Sequence, residues 1–177
     1  MNTFKQFIFT IILLVGLFAC KTQSTAVQNK AETETSMDAP KVVNIRGEKI
    51  HYIEKGEGEP LIFVHGTIGD YRAWTSRMEP YSEEYHVVAY SRRYAHPNAQ
   101  KFDSLVDYSV RIHADDLYAF IKELNLEKAH IVGHSYGAFT ALTMALDHPE
   151  VVQSLVLGEP PASSLLENVE GGKALYK

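Results

Sequence analysis

The sequence predicts an α/β fold built on a doubly wound, mostly parallel sheet. Three observations carry this. Short apolar runs alternate with helix-like segments from residue 61 onward, the order expected when a helical crossover leads from each parallel strand to the next. The pentapeptide Gly133-His134-Ser135-Tyr136-Gly137 stands between the β-like run Ala129-His130-Ile131-Val132 and a helix-like run that starts at Ala138. The chain has 177 residues, of which 45% are hydrophobic and 22% charged, enough for one ordinary domain with a real core.

Residues 1–19 read as a secretory leader. Lys5 supplies the positive charge, and Phe7 to Phe18 is an apolar stretch too short for a comfortable membrane span. The leader ends in Leu17-Phe18-Ala19-Cys20, which resembles a bacterial lipobox, although Phe18 is bulkier than the usual residue there. The resemblance implies that Cys20 is lipidated and becomes the first residue of the mature protein, exported to the cell envelope. Cys20 is the single cysteine, so its lipidation leaves no thiol for a disulfide or for catalysis. Lys21 to about Pro40 is polar and has almost no large apolar residue, so it cannot bury a core. Residues 20–40 therefore form a flexible tether, with a mean reach of roughly 25 Å by coil scaling. The tether would hold a folded domain, residues 41–177, just off a membrane surface.

Within that domain, Val42–Ile45 and Lys49–Ile53 read as two short strands joined at Arg46-Gly47, and Gly56 to Pro60 as a turn. Leu61-Ile62-Phe63-Val64 is a continuous apolar run, as for a strand buried on both faces. Asp70 to Ser82 is a helix with Asp70 as its N-cap. His86-Val87-Val88-Ala89-Tyr90 is a second buried strand. Asp107 to Leu124 is the clearest helix, because Val110, Ala114, Leu117, Ile121 and Leu124 share one helical face. Residues 129–133 form the next strand. Ala138 to Asp147 is a helix stopped at His148-Pro149. Val152 to Leu157 is a strand ending in Gly158-Glu159-Pro160-Pro161, and a further helix could start near Ser163. Ligands bind at the carboxyl ends of strands in such sheets, where 65–70, 133–137 and 158–161 all fall.

Several functions are disfavoured. A net charge of −5 without a basic run gives no footprint for nucleic acid. The eight histidines are scattered, with no metal-ligand spacing, so no metal is expected. No cofactor is implied either. The G-x-S-x-G pattern between strand and helix is instead a nucleophile elbow, with Ser135 held in a strained conformation at the tip of the sheet. Larger residues at 133 and 137 would collide with the neighbouring strand and helix.

On these residues the chain resembles the α/β-hydrolase fold family. His65-Gly66-Thr67, Ser91-Arg92-Arg93, the elbow, and His148-Pro149-Glu150 ahead of Leu155-Val156-Leu157 carry the resemblance, which covers about residues 43 to 161. It implies an oxyanion hole of two backbone N–H groups, those of Tyr136 and Thr67. It implies acyl transfer on a small-molecule ester or related substrate by Ser135, because epoxide hydrolases and haloalkane dehalogenases of this fold place aspartate there. The triad acid in reach is Glu159, at the end of the next strand; it could equally shape the cleft entrance. Asp147 is a weaker choice. The family's histidine lies after the last strand, beyond a cap region. No such segment is present here, so the chain reads as the N-terminal portion of an enzyme, cut before the cap and the last strands. The histidines that are present read as shaping the site (His65, His134) or as satisfied structural groups (His51, His86, His113, His130). Where many members have Asp-x-Arg-Gly, this chain has Ser91-Arg92-Arg93-Tyr94. Tyr71, Trp74, Tyr90 and Tyr94 could line an apolar acyl pocket, or serve as core. Two alternatives stay open: a truncated, non-catalytic, lipid-anchored binding module, and a cofactor-free perhydrolase or lyase on the same fold.

Overall fold

The computed structural model describes residues 39–98, 103–105 and 107–161. The leader, Cys20, the tether up to residue 38 and the helix expected from Ser163 lie outside the described residues.

Six strands form one sheet in the order β1-β2-β4-β3-β5-β6. They are β1 (Lys41–Ile45), β2 (Glu48–Lys55), β3 (Glu59–Val64), β4 (Tyr85–Tyr90), β5 (Ala129–His134) and β6 (Val152–Gly158). β1 and β2 make an antiparallel hairpin, and β2 pairs antiparallel with β4. β4, β3, β5 and β6 run parallel. The mostly parallel α/β sheet expected from the sequence is therefore present. The hairpin turns at Arg46-Gly47, both with positive φ (51° and 89°).

Period-two alternation splits each apolar run between two cores. Ile62 and Val64 of β3, with Val88 and Tyr90 of β4, face α2 (Val110–Glu123) and α3 (Tyr136–Asp147), packing against Leu117, Phe120, Ile121, Ala141 and Met144. Leu61 and Phe63, with Val87 and Ala89, face the other way onto Tyr71 and Met78. That second layer is a 3-10 turn, Tyr71–Trp74, leading into α1 (Thr75–Tyr81). Helices thus cover both faces, as double winding requires.

Asp70 caps this layer as expected. Its carboxylate accepts from the Arg72 backbone N–H at 2.9 Å and from the Arg72 guanidinium at 2.9 and 2.6 Å. Asp70→Ala is expected to lower stability by about 1 kcal/mol, read as a shift of the urea midpoint. No shift would show that the tertiary packing of Tyr71 and Met78 alone sets this layer.

Two helix starts differ from expectation. α2 begins at Val110 rather than Asp107, because Asp107 bonds back on itself locally. Its carboxylate accepts from the Ser109 N–H at 2.7 Å and the Ser109 hydroxyl at 3.0 Å, a side-chain turn that competes with helix. α3 begins at Tyr136, directly after the serine, rather than at Ala138.

The loop after β4 is tied down over residues 91–98. Ser91 donates from Oγ to the His96 carbonyl at 2.6 Å, and the Asn98 amide donates to the Ser91 carbonyl at 2.7 Å. Arg93 makes a two-pronged pair with Asp116 of α2, both bonds at 2.6 Å. Arg46 and Glu48 of the hairpin reach the same pair at 3.3 and 3.4 Å. Hairpin, loop and α2 are joined by one charge network, with the buried Arg93–Asp116 pair at its centre.

Candidate active site

Ser135 sits between β5 and α3 with φ 51° and ψ −124°, a conformation few non-glycine residues adopt. Three contacts impose it. The Ser135 N–H donates to the Gly158 carbonyl at 2.7 Å, which ties the elbow to the end of β6. A Cβ at Gly137 would stand 2.3 Å from the Val64 carbonyl oxygen and 2.5 Å from that of His65. A Cβ at Gly133 would stand 2.6 Å from the Ala138 Cα. So α3 starts directly against the end of β3, and only glycines permit that approach.

The loop after β3 closes over this turn. A Cβ on Gly66 would lie 3.3 Å from the Ser135 Cβ, so Gly66 stands beside the serine and Thr67 follows it in the loop. Tyr136 opens α3, and its N–H has no carbonyl four residues back within the helix. Thr67 and Tyr136 line the same cleft, of about 280 Å³, with Arg92, Tyr94, Tyr108 and His113. Ser135 adjoins this cleft through its neighbours and is not among its lining residues.

Arg92 braces the loop. Its backbone N–H donates to His65 Nε2 at 2.9 Å, its Nε to the His65 carbonyl at 3.2 Å and its Nη2 to the Gly66 carbonyl at 2.9 Å. These bonds fix the His65 tautomer. Because Nε2 accepts, the proton sits on Nδ1, which lies 2.7 Å from the Gly66 carbonyl and donates to it. Burial, reinforced by the Arg92 charge, pushes the His65 pKa down to about 4. His65 is thus a neutral strut, with both nitrogens engaged.

His113 differs from expectation. It was expected to be satisfied, yet neither ring nitrogen has a hydrogen-bond partner among the described residues, and Nδ1 is fully buried. Tyr94 and Tyr136 hold the ring edge-on, at 5.6 and 5.7 Å. Burial and the nearby Arg92 and Arg93 charges push its pKa down to about 3. Both rings should therefore stay neutral on lowering the pH to about 5, seen as flat ring chemical shifts in a histidine NMR titration. An unfolded chain binds these protons near pH 6.5. The stabilising effect is then complete above that pH. It is lost as pH falls towards about 4 for His65 and about 3 for His113, at up to about 1.4 kcal/mol per pH unit for each ring.

Four other histidines have local partners. His51 meets Asn98 at 2.6 Å, His86 meets Glu54 at 3.1 Å, and His130 meets Ser154 at 2.7 Å and Glu59 at 2.9 Å. His148 stacks on Tyr118 with centroids 3.7 Å apart. Among the described residues no histidine is hydrogen-bonded to the Ser135 hydroxyl.

Glu159 directly follows β6, next to the carbonyl that anchors Ser135, and has φ 52°. It is exposed. Asp147 pairs with Arg111 at the far end of α3, away from the elbow. Three of the four aromatics considered for an acyl pocket are elsewhere. Tyr71 and Tyr90 are core, and Trp74 stacks on Phe63 at 4.6 Å. Only Tyr94 lines the cleft. The residues that sequence reasoning missed there are Arg92, Tyr108 and His113. The available signal was a pair of arginines directly after a buried strand.

The family model described as alpha/beta hydrolase fold matches residues 59–177. An uncharacterized hydrolase of Bacillus subtilis is 30% identical over 128 residues, covering 72% of this chain and 47% of its own length. An epoxide hydrolase of Vigna radiata superposes with TM-score 0.61 at 26% identity, over 66% of this chain and 38% of that one. A meta-cleavage product hydrolase of Pseudomonas fluorescens gives TM-score 0.61 at 29% identity, over 66% and 43%. The chain spans at most about half the length of the curated relatives it matches, from 34% to 47%.

Proposed function

Since the chain belongs to the α/β-hydrolase fold family, we propose that it carries the nucleophile and oxyanion hole of a serine hydrolase acting on an ester or related acyl substrate. The observation that carries this is the strained Ser135 set against Gly66 at the start of α3. In this reading Ser135 Oγ attacks the acyl carbon, and the developing oxyanion accepts from the Thr67 and Tyr136 N–H groups. Two such fixed donors are worth several kcal/mol of barrier. Arg92 holds the Thr67 donor in place through the His65 and Gly66 carbonyls. A general base takes the serine proton and returns it to the leaving group; water then releases the acyl group. His65 and His113 are unsuited to that task. The first has both nitrogens engaged, and burial lowers the pKa of the two rings to about 4 and about 3, which leaves both weak bases. The reading therefore assigns the base to a histidine outside these 177 residues, with Glu159 as its orienting acid. A lipid anchor at Cys20 would place the enzyme at a bacterial envelope membrane.

The serine supports acyl transfer over the epoxide chemistry of some relatives. A perhydrolase or lyase on the same elbow is separated by assaying aryl ester cleavage with and without hydrogen peroxide. Hydrolysis without peroxide is expected, and peroxide-dependent turnover alone would replace the hydrolase with a perhydrolase. The non-catalytic binding module is favoured by one observation, that no histidine is hydrogen-bonded to the Ser135 hydroxyl among the described residues. Ester turnover by the protein that contains this chain would remove it.

A further inference from the structure

The cleft beside the elbow holds a buried cation with no anionic partner among the described residues. Arg92 is 6% exposed. Its Nε and Nη2 are used on the two loop carbonyls, and its guanidinium lies 4.9 Å from the Tyr136 ring centroid. Nη1 has no hydrogen-bond partner, and no carboxylate pairs with the group, among the described residues. The next residue, Arg93, shows the contrast, since Asp116 neutralises it with two bonds. His113, 5% exposed, lines the same cleft and also has no hydrogen-bond partner among the described residues.

A guanidinium removed from water is costly unless it is paired. The carbonyl dipoles and the aromatic face offset part of that. A carboxylate on Nη1 would add a charge-assisted bond in a site of low dielectric, where such bonds are strong. Asp107 is a carboxylate whose charge reaches His113 and Tyr136, but it is exposed and occupied by Ser109. The walls formed by Tyr94, Tyr108 and Tyr136 suit methylene groups. The volume, about 280 Å³, lies at the lower end for small-molecule sites.

We propose that this cleft is the acyl subsite and that Arg92, with His113 beside it, recognises a carboxylate on the acyl portion of the substrate. The substrate class is a half-ester, or related monoacyl derivative, of a short dicarboxylic acid. The assignment rests on the serine-hydrolase reading above.

The test compares mono-p-nitrophenyl glutarate with its methyl-blocked diester on the full-length protein that contains this chain and on its Arg92→Met variant. The wild type is expected to favour the free acid in kcat/KM by at least about tenfold, the ordinary worth of a hydrogen bond between charged groups. Arg92→Met should bring that ratio to about one, whatever happens to the absolute rates, since a merely structural arginine would lower both esters alike. Glutarate titrated calorimetrically into Ser135→Ala should bind saturably, and the Arg92→Met/Ser135→Ala double variant should not bind. A wild-type ratio of one or less, or a ratio unchanged in Arg92→Met, overturns the subsite. Ser135-dependent turnover of the blocked diester with no preference for the free acid leaves the hydrolase standing and removes the subsite. If neither ester is turned over, the hydrolase reading fails, and the glutarate titration alone decides the subsite.

Discussion

Ser135→Ala is expected to lower ester turnover by at least about a thousandfold, the scale of loss when the nucleophile of a serine enzyme is removed. The expectation rests on placement. Ser135 is held at φ 51° by a backbone bond to Gly158 and by the tight approach of α3 to β3, none of which involves its hydroxyl. Alanine has the same backbone to hold, so the variant should unfold within about 0.5 kcal/mol of the wild type, as for substitutions that touch no structural partner. Loss of turnover with unchanged stability would assign the hydroxyl to chemistry. Retention of more than trace hydrolysis would remove Ser135 from the reaction.

The largest stability effect is expected at Asp116. Among the described residues, Asp116→Ala leaves Arg93, 7% exposed, with only the Glu48 carboxylate at 3.4 Å. Breaking a buried pair by removing one partner costs about 3–5 kcal/mol, because a charge stays buried and unpaired. An arginine keeps its proton at any working pH even without a carboxylate partner, so Arg93 cannot escape by becoming neutral. Replacing the pair together, as Arg93→Met with Asp116→Leu, should recover much of the loss, since apolar groups of similar volume leave no stranded charge. Urea unfolding of the single and double variants measures both. A loss below about 1 kcal/mol for Asp116→Ala would show that water or the hairpin charges compensate. It would mean that this network does not hold the hairpin to α2.

The strands were legible because burial on both faces writes itself as uninterrupted apolar runs. Leu61–Val64 and His86–Tyr90 needed no further context to be read. The elbow was legible because close backbone approach admits only glycine at 133 and 137. The boundary errors have a common cause. Asp107 and Ser109 form a local turn that the helical periodicity of α2 does not show, and Tyr136 is helical because the serine before it absorbs the whole turn. The cleft was the hardest part to read. Tyr71 and Trp74 point to the face opposite α2 and α3, which depends on the β2-β4-β3-β5 strand order rather than on any local pattern. Arg92 and His113 matter for the partners they lack, a property no linear pattern displays. Sequence spacing could indicate that two arginines follow β4, but not that Asp116 takes only one of them.

The central claim, that Ser135 is the attacking nucleophile, is tested most directly by trapping. The full-length protein that contains this chain is treated with a fluorophosphonate, digested and mapped by mass spectrometry. The account predicts a single covalent adduct on Ser135, absent from Ser135→Ala. An adduct on a different side chain, or ester hydrolysis that persists with Ser135 unmodified, would contradict it.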